Sequence, residues 1–159
     1  YRVTSSWDVP LMVTRGYPSL SFPHQTAAYI NGLEKPTYLY YFGDYDPLGL
    51  DITRNVREDI EEFAPWAEVH FERVAVSEDQ IEAWQLPTRP TKVSDSRSGS
   101  FRRESVEVDA IPPDVLRTLV SDKIIQHIDE QALHVMQVAE ESERSLLTKI
   151  AADLNGVPE

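Results

Sequence analysis

The sequence predicts an α/β fold with a mainly parallel sheet covered by helices on both faces, followed by C-terminal helices. Two observations support this prediction. Apolar runs of strand length alternate with segments whose apolar residues recur every three or four positions. In addition, the run at 37–43 is apolar or aromatic almost throughout, as in strands that are covered on both faces. We divide the chain into an α/β core at 1–111 and a C-terminal helical segment at 112–159 that packs on the core.

The N-terminal part predicts a strand, a helix and a second strand. Residues 8–14 have the composition of a short buried strand, and Gly16 and Pro18 predict the turn after it. Ser19 can cap a helix that runs to about residue 31, where Asn-Gly is typical of a helix end. The apolar run at 37–43 is the second predicted strand.

The next helix has the clearest pattern in the chain. Pro47 suits a first helical turn. An apolar stripe with spacings of four and three residues follows it, consisting of Ile52, Val56, Ile60 and Phe63. The sequence therefore predicts a helix from about 47 to 63.

The second half predicts one further strand, a loop and more helices. A third strand is predicted at 68–76, and Ser77 with Gln80 matches a capping box for a short helix through Trp84. Prolines, serines and glycine at 86–100 predict an exposed loop. The remaining predicted elements are a fourth strand at 106–111 and helices at 114–129 and 131–154.

Composition limits the class of protein. The chain has 159 residues, no cysteine and a formal net charge of -12, so it fits one domain without disulfides or thiolate metal sites. No apolar run approaches the roughly 20 residues that span a bilayer. We expect a cytoplasmic protein, nucleoid-associated if bacterial, with no membrane partner. Because the chain starts at Tyr1 rather than Met, we also expect it to be part of a longer protein.

The charge is unevenly distributed. A net charge of -12 would repel nucleic acid, yet residues 86–103 contain five basic residues and one acidic residue. Lys92, Arg97, Arg102 and Arg103 lie in this basic segment and can hold a nucleic-acid backbone, as can Arg15 after the first predicted strand. The alternatives are an ordinary polar loop for the basic segment and a surface ion pair for Arg15.

The candidate catalytic and metal-binding residues are Asp44 and Asp46. They follow the second predicted strand and precede the Pro47 helix, a junction at which α/β proteins bind ligands. Residues two apart in an extended segment point the same way. Two carboxylates held together favour a hard cation, so we expect Mg²⁺, with Mn²⁺ as a substitute. In the structural alternative, Asp44 caps the helix or forms an Asx turn, and Asp46 is solvated.

Two motifs resemble the TOPRIM domain, and most closely that of the topoisomerase VI A subunit and its meiotic double-strand-break relatives. The stretch from Asp44 to Gly49 matches their Asp-x-Asp-Pro-x-Gly, and the stretch from Val13 to Ser19 is similar to their Thr-x-x-Gly-x-Pro segment, with one residue instead of two between Thr14 and Gly16. Weaker similarity to TOPRIM-containing proteins of bacteria and their mobile elements extends to residue 111. The resemblance implies a Rossmann-like TOPRIM fold for residues 1–111.

The resemblance also implies a function. TOPRIM domains hold magnesium with the Asp-x-Asp pair and a glutamate on their first strand during phosphodiester chemistry. That glutamate should lie a full strand and helix before Asp8, and the seven residues that precede Asp8 contain none. We therefore expect the core to lack its first strand. The tyrosine nucleophile of topoisomerase VI belongs to a separate upstream domain, to which no tyrosine of this chain corresponds.

Three functions remain open at this stage. The first is a magnesium-binding TOPRIM-like domain of a larger DNA-processing protein that cleaves or transfers DNA strands, as a type IIB topoisomerase A subunit or a TOPRIM nuclease does. Its partners would be DNA, an upstream domain or partner subunit, and a second copy in a homodimer. The second is a non-catalytic TOPRIM-like binding or assembly module. The third is a magnesium-dependent phosphatase, which would require a threonine where this chain has Pro47 to Gly49.

Overall fold

The computed structural model describes residues 2–14, 16–90 and 104–155. It is a mixed α/β structure in which 58% of the residues are helical. Its helices and strands, in chain order, are α1 (Arg2–Ser6), α2 (Ser21–Asn31), β1 (Thr37–Phe42), α3 (Pro47–Phe63), β2 (Val69–Ala75), α4 (Glu78–Trp84), α5 (Pro113–Ile125) and α6 (Glu130–Asn155), with a 3-10 turn at Val108–Ala110 between α4 and α5. The predicted combination of helices with a parallel sheet is confirmed. The Rossmann-like TOPRIM arrangement stays a prediction.

The sheet consists of β1 and β2, which pair in parallel. Thr37 lies opposite Val69, and the register runs regularly to Tyr41 opposite Arg73 before it shifts at Phe42. Helix α3 connects the two strands, as expected for a parallel pair that needs a crossover connection. The carboxyl ends of both strands therefore lie at one edge of the sheet.

One hydrophobic cluster joins the sheet to α2 and α3. Its buried members come mainly from the two helices, and alternate strand residues such as Leu39 and Phe71 pack against them. The α3 stripe predicted from the sequence supplies Ile52, Val56 and Ile60. Burying each of these aliphatic side chains stabilises the fold by about 2 kcal/mol.

A second cluster lies at the carboxyl end of the strands. Tyr45, Ala75, Val76 and Val106 are buried there. The side chains packed against this cluster include residues of α4, the 3-10 turn and α5. This cluster fixes the connection between β1 and α3, where the predicted site lies.

Two predicted strands are absent from the described structure. Residues 8–14 form no ladder, and their apolar side chains are largely exposed, with Val13 at 76%. Asp8 has a positive φ of 53°, and Pro10 cannot donate to a ladder, so this segment does not form a regular strand. At 106–111, Val106 makes an isolated antiparallel bridge and Val108–Ala110 coils into the 3-10 turn instead.

Helix boundaries agree with the sequence at several caps. Helix α3 begins at Pro47 and ends at Phe63, as predicted, and both hydrogen bonds of the Ser77 capping box are present. Ser19 does not cap α2, because the residue that precedes this helix is Leu20. None of the described helices combines the length and the apolar composition that crossing a bilayer requires.

The contacts divide the chain into two compact units, Tyr1–Ser121 and Asp122–Glu159. The first contains the sheet, both hydrophobic clusters and the predicted site. The second contains α6. The predicted division at residue 111, and the packing of the C-terminal segment on the core, stay predictions.

Candidate functional site

The connection from β1 to α3 and the first residues of α3 form the acidic turn, residues 43–49. Backbone hydrogen bonds tie its start to the end of β2: the Gly43 amide donates to the Ala75 carbonyl at 2.8 Å, and the Val76 amide donates to the Gly43 carbonyl at 2.8 Å. The acidic turn is therefore anchored at the carboxyl edge of the sheet, where ligands bind in open α/β sheets.

Asp46 caps helix α3. Its backbone is extended (φ -148°, ψ 171°), and its Oδ1 accepts a hydrogen bond from the Gly49 amide at 2.6 Å. Pro47 occupies the start of the helix, where the missing N–H costs nothing. The structural alternative assigned the cap to Asp44 and left Asp46 solvated, and this assignment was wrong. The cap is the residue immediately before the proline, and Pro47 favours an extended backbone at that residue.

Asp44 holds a distant segment of the chain. Its Oδ1 accepts a hydrogen bond from the Val108 amide at 2.8 Å. Beside it, Tyr45 and Val106 exchange two backbone hydrogen bonds, of 2.7 and 3.0 Å. These contacts join the acidic turn to a segment about 60 residues later in the sequence. The carboxylate thus satisfies the amide that begins the 3-10 turn.

Gly49 allows the acidic turn to close tightly. A Cβ at this position would lie 2.3 Å from the Asp44 carbonyl oxygen and 3.2 Å from Asp46 Oδ1. Since real Cβ atoms do not approach backbone oxygens this closely, the position requires glycine. The Asp-x-Asp-Pro-x-Gly pattern therefore has a structural explanation. Asp44 accepts the Val108 amide, Asp46 caps α3, Pro47 begins the helix, and Gly49 permits the close approach to the Asp44 carbonyl.

Arg73 on β2 binds the backbone of the acidic turn. Its Nη2 donates to the carbonyl oxygens of Gly43 at 2.8 Å and Asp44 at 2.6 Å. The guanidinium also donates to the Val76 carbonyl at 3.3 Å and to the Thr53 hydroxyl. One half-buried arginine thus connects both strand ends to the first turns of α3.

Arg73 brings a positive charge close to the two carboxylates. Burial lowers the pKa of Arg73, while Tyr41, Asp44, Asp46 and Tyr45 oppose this shift. Arginine nevertheless remains protonated at neutral pH. No ion pair within 4.0 Å joins this guanidinium to a carboxylate of the described residues. Arg73 therefore reduces the negative potential of the site without neutralising either aspartate directly.

The acidic turn contains both predicted metal ligands. Asp44 and Asp46 are half-buried, and each uses Oδ1 for a backbone amide. Their Oδ2 atoms form no hydrogen bond with the described residues, so each can still coordinate a cation. No cluster of three or more acidic, histidine or cysteine ligands occurs in the described parts of the chain. The donor set fits magnesium, which commonly uses one or two carboxylates together with water and substrate phosphate.

The five residues predicted to contact nucleic acid lie outside the described residues, namely Arg15, Lys92, Arg97, Arg102 and Arg103. Glu107 and Asp109, two further acids near the site, do lie within the described residues. Glu107 accepts a hydrogen bond from Arg89 Nη1 at 2.7 Å, so its carboxylate is paired with a nearby arginine.

Sequence reasoning missed Arg73 and Val108. Arg73 contacts carbonyl groups about 30 residues earlier, and the Val108 amide contacts an aspartate 64 residues earlier. Neither contact leaves a periodic pattern in the sequence. The only available signal was the position of a basic residue near the end of a predicted apolar strand, where an arginine must find acceptors.

No protein-family model matches this chain, and neither a curated protein nor a solved structure matches it. The TOPRIM resemblance therefore depends on the motifs alone.

Proposed function

We propose that this chain is a magnesium-binding, TOPRIM-like domain of a larger DNA-processing protein. The observation that favours this function is the acidic turn, where two aspartates at the edge of a parallel sheet are fixed through one oxygen each. The remaining carboxylate oxygens are available for a hard cation. The motif resemblance supplies the reaction class, which is cleavage or transfer of a DNA strand.

In this proposal, the chain positions the metal rather than completing the reaction. Asp44 and Asp46 would hold Mg²⁺, which would stabilise the charge that develops on phosphate oxygens during phosphodiester transfer. The amides at the start of α3 favour an anionic phosphate beside it. The third acid and the nucleophile would come from an upstream domain or a partner subunit.

A non-catalytic binding module is the second candidate function. The observation that favours it is that both aspartates already have structural roles, one as a helix cap and one as an acceptor for the Val108 amide. Arg73 also places a positive charge near the pair. In this alternative, the carboxylates maintain the turn and bind no metal.

Substitution by asparagine separates the two functions. In Asp46→Asn the side-chain oxygen would still accept the Gly49 hydrogen bond, because asparagine caps helices as well as aspartate does. In Asp44→Asn it would still accept from Val108. The double variant Asp44→Asn with Asp46→Asn should therefore stay folded but lose the ligand charge. Calorimetric titration with MgCl₂ and MnCl₂ should show one site in the wild type and binding at least about tenfold weaker in the variant, a difference of about 1.4 kcal/mol.

The control removes two acids from the C-terminal half of α3, away from the acidic turn. Asp59→Asn with Glu62→Gln changes the net charge equally near the opposite end of the helix, and it should leave metal binding unchanged. Equal affinity of the wild type and the Asp44, Asp46 variant would refute the magnesium site and favour the binding module.

A further inference from the structure

Helix α6 exposes an unusual number of large apolar side chains. It has 26 residues and is about 39 Å long. Seven of its apolar side chains are between 46% and 73% exposed, namely Val135, Met136, Val138, Leu146, Leu147, Ile150 and Leu154. Large exposed apolar patches are typical of interaction sites.

Part of this surface follows a coiled-coil spacing. Seven positions recur at alternating intervals of three and four residues and are called the α6 seam: Leu133, Met136, Glu140, Glu143, Leu147, Ile150 and Leu154. In a coiled coil these are the a and d positions, which face the partner helix. The two ends of the seam are apolar, and the third and fourth of its seven positions are glutamates, called the central glutamates.

The central glutamates differ in their contacts. Glu140 accepts a hydrogen bond from Arg144 Nη2 at 2.7 Å, and both side chains are about two-thirds exposed. Glu143 forms no hydrogen bond or ion pair with the described residues. A shallow depression of about 460 Å³ lies along this stretch and is lined by residues that include Glu140, Glu143 and Leu147. Covering Glu143 with an apolar surface would bury an unpaired carboxylate, which is costly.

A second copy of α6 is a poor partner for this seam. In a parallel pair in register, Glu140 and Glu143 would each face the same residue of the other copy. In an antiparallel pair centred on the two glutamates, Glu140 of each copy would meet Glu143 of the other. Like charges at these positions oppose pairing, and such residues select the partner in coiled coils.

A membrane surface is also a poor partner. Helices that lie on anionic bilayers carry mainly lysine and arginine on their polar face. Residues 130–155 contain five acidic and two basic residues, so the electrostatic contribution would be repulsive.

We propose that the α6 seam binds a partner helix that presents apolar residues at both ends of its contact face and lysine or arginine at the centre. The apolar ends would supply buried area. The central basic residues would pair with Glu140 and Glu143 and thereby set both the register and the choice of partner. This proposal does not depend on the magnesium site.

A charge-reversed copy of the full chain tests the proposal. The variant Glu140→Lys with Glu143→Lys keeps the apolar ends and presents the proposed basic centre. Mixed with the wild type, it should form a heterodimer in sedimentation equilibrium whose dissociation constant is at least tenfold lower than that of either homodimer. Added salt should weaken the mixed pair, because it depends on opposite charges.

The matched control places two lysines on the other side of the helix. The control variant is His134→Lys with Glu141→Lys. His134 and Glu141 each follow a seam residue by one position and so occupy outward-facing b positions. This variant should not pair with the wild type more tightly than the wild type pairs with itself. Circular dichroism should confirm that both variants retain the helix content of the wild type.

Two outcomes would overturn the proposal. A wild-type homodimer as stable as the mixed pair would show that a second copy covers the seam. Absence of the mixed pair at all accessible concentrations, with helix content intact, would show that the seam does not select a basic partner.

Discussion

The acidic turn and helix α6 are opposites in how they use side chains. In the acidic turn, Asp46 caps α3, Asp44 accepts the Val108 amide, and Arg73 donates to the Asp44 carbonyl. These hydrogen bonds hold three chain segments together. In α6, large apolar side chains are exposed and Glu143 has no described partner. The comparison indicates that the acidic turn is structurally specified within the chain, whereas α6 has the composition of a surface that needs a partner.

The largest expected effect on stability is at Gly49. Gly49→Ala would place a methyl group 2.3 Å from the Asp44 carbonyl oxygen. Because this oxygen belongs to the backbone, relieving the clash requires a shift of the main chain. We expect the free energy of unfolding in urea to fall by about 3 kcal/mol. Gly32→Ala is the control, because its Cβ would come no closer than 3.4 Å to the Tyr29 carbonyl oxygen. Similar losses in both variants would show that the acidic turn is not specially constrained.

The second-largest loss of stability is expected when Arg73 is replaced. Arg73→Met keeps the aliphatic stem but removes the donors to the Gly43, Asp44 and Val76 carbonyls. The Gly43 carbonyl keeps the Val76 amide, but leaving the Asp44 and Val76 carbonyls without this donor should lower the free energy of unfolding by about 2 kcal/mol. Arg57→Met removes an exposed pair with Glu61 and should leave the urea midpoint nearly unchanged. A wild-type midpoint for Arg73→Met would mean that the arginine does not hold the turn.

Substitutions of Asp46 separate the contribution of its capping hydrogen bond from that of its negative charge. Asp46→Ala should cost about 1 kcal/mol, because the Gly49 amide loses its acceptor. Asp46→Asn should cost little, since the amide oxygen can replace the carboxylate as the cap. Urea unfolding of both variants measures the difference. Equal destabilisation would indicate that the negative charge, rather than the hydrogen bond, stabilises α3.

The smallest effect is expected on α6. Leu147→Gln replaces a side chain that is 66% exposed with another good helix former. Its effect on the free energy of unfolding should stay within about 0.5 kcal/mol, as for most surface substitutions. A loss of several times that size would show that α6 is covered within the chain and would weaken the contrast with the acidic turn.

The sequence predicted elements whose determinants are local. The α3 helix was predicted from Pro47 and a stripe of spaced apolar residues, and the α4 cap from Ser77 with Gln80. The parallel pairing of the strands at 37–43 and 68–76 followed from the helix between them. These features depend on residues within one or two turns of each other, so a single sequence contains their causes.

The predictions that failed depended on distant partners. Residues 8–14 have strand-like composition but no neighbouring strand to pair with in the described structure. At 106–111, the chain directs its backbone groups to Tyr45 and Asp44 rather than to a sheet. For the same reason, the pattern located Asp44 but did not reveal that its carboxylate accepts a hydrogen bond from the distant Val108 amide.

Paramagnetic broadening by Mn²⁺ tests the central claim most directly, because it locates a bound cation by residue. In ¹H–¹⁵N spectra of the full chain, substoichiometric MnCl₂ should first broaden the amide signals of residues 43–46, Leu48, Gly49 and Val108, and excess MgCl₂ should restore them. In Asp44→Asn with Asp46→Asn, this selective broadening should disappear. Broadening that is uniform, or strongest around the acidic residues of α6, would contradict a metal site at the acidic turn.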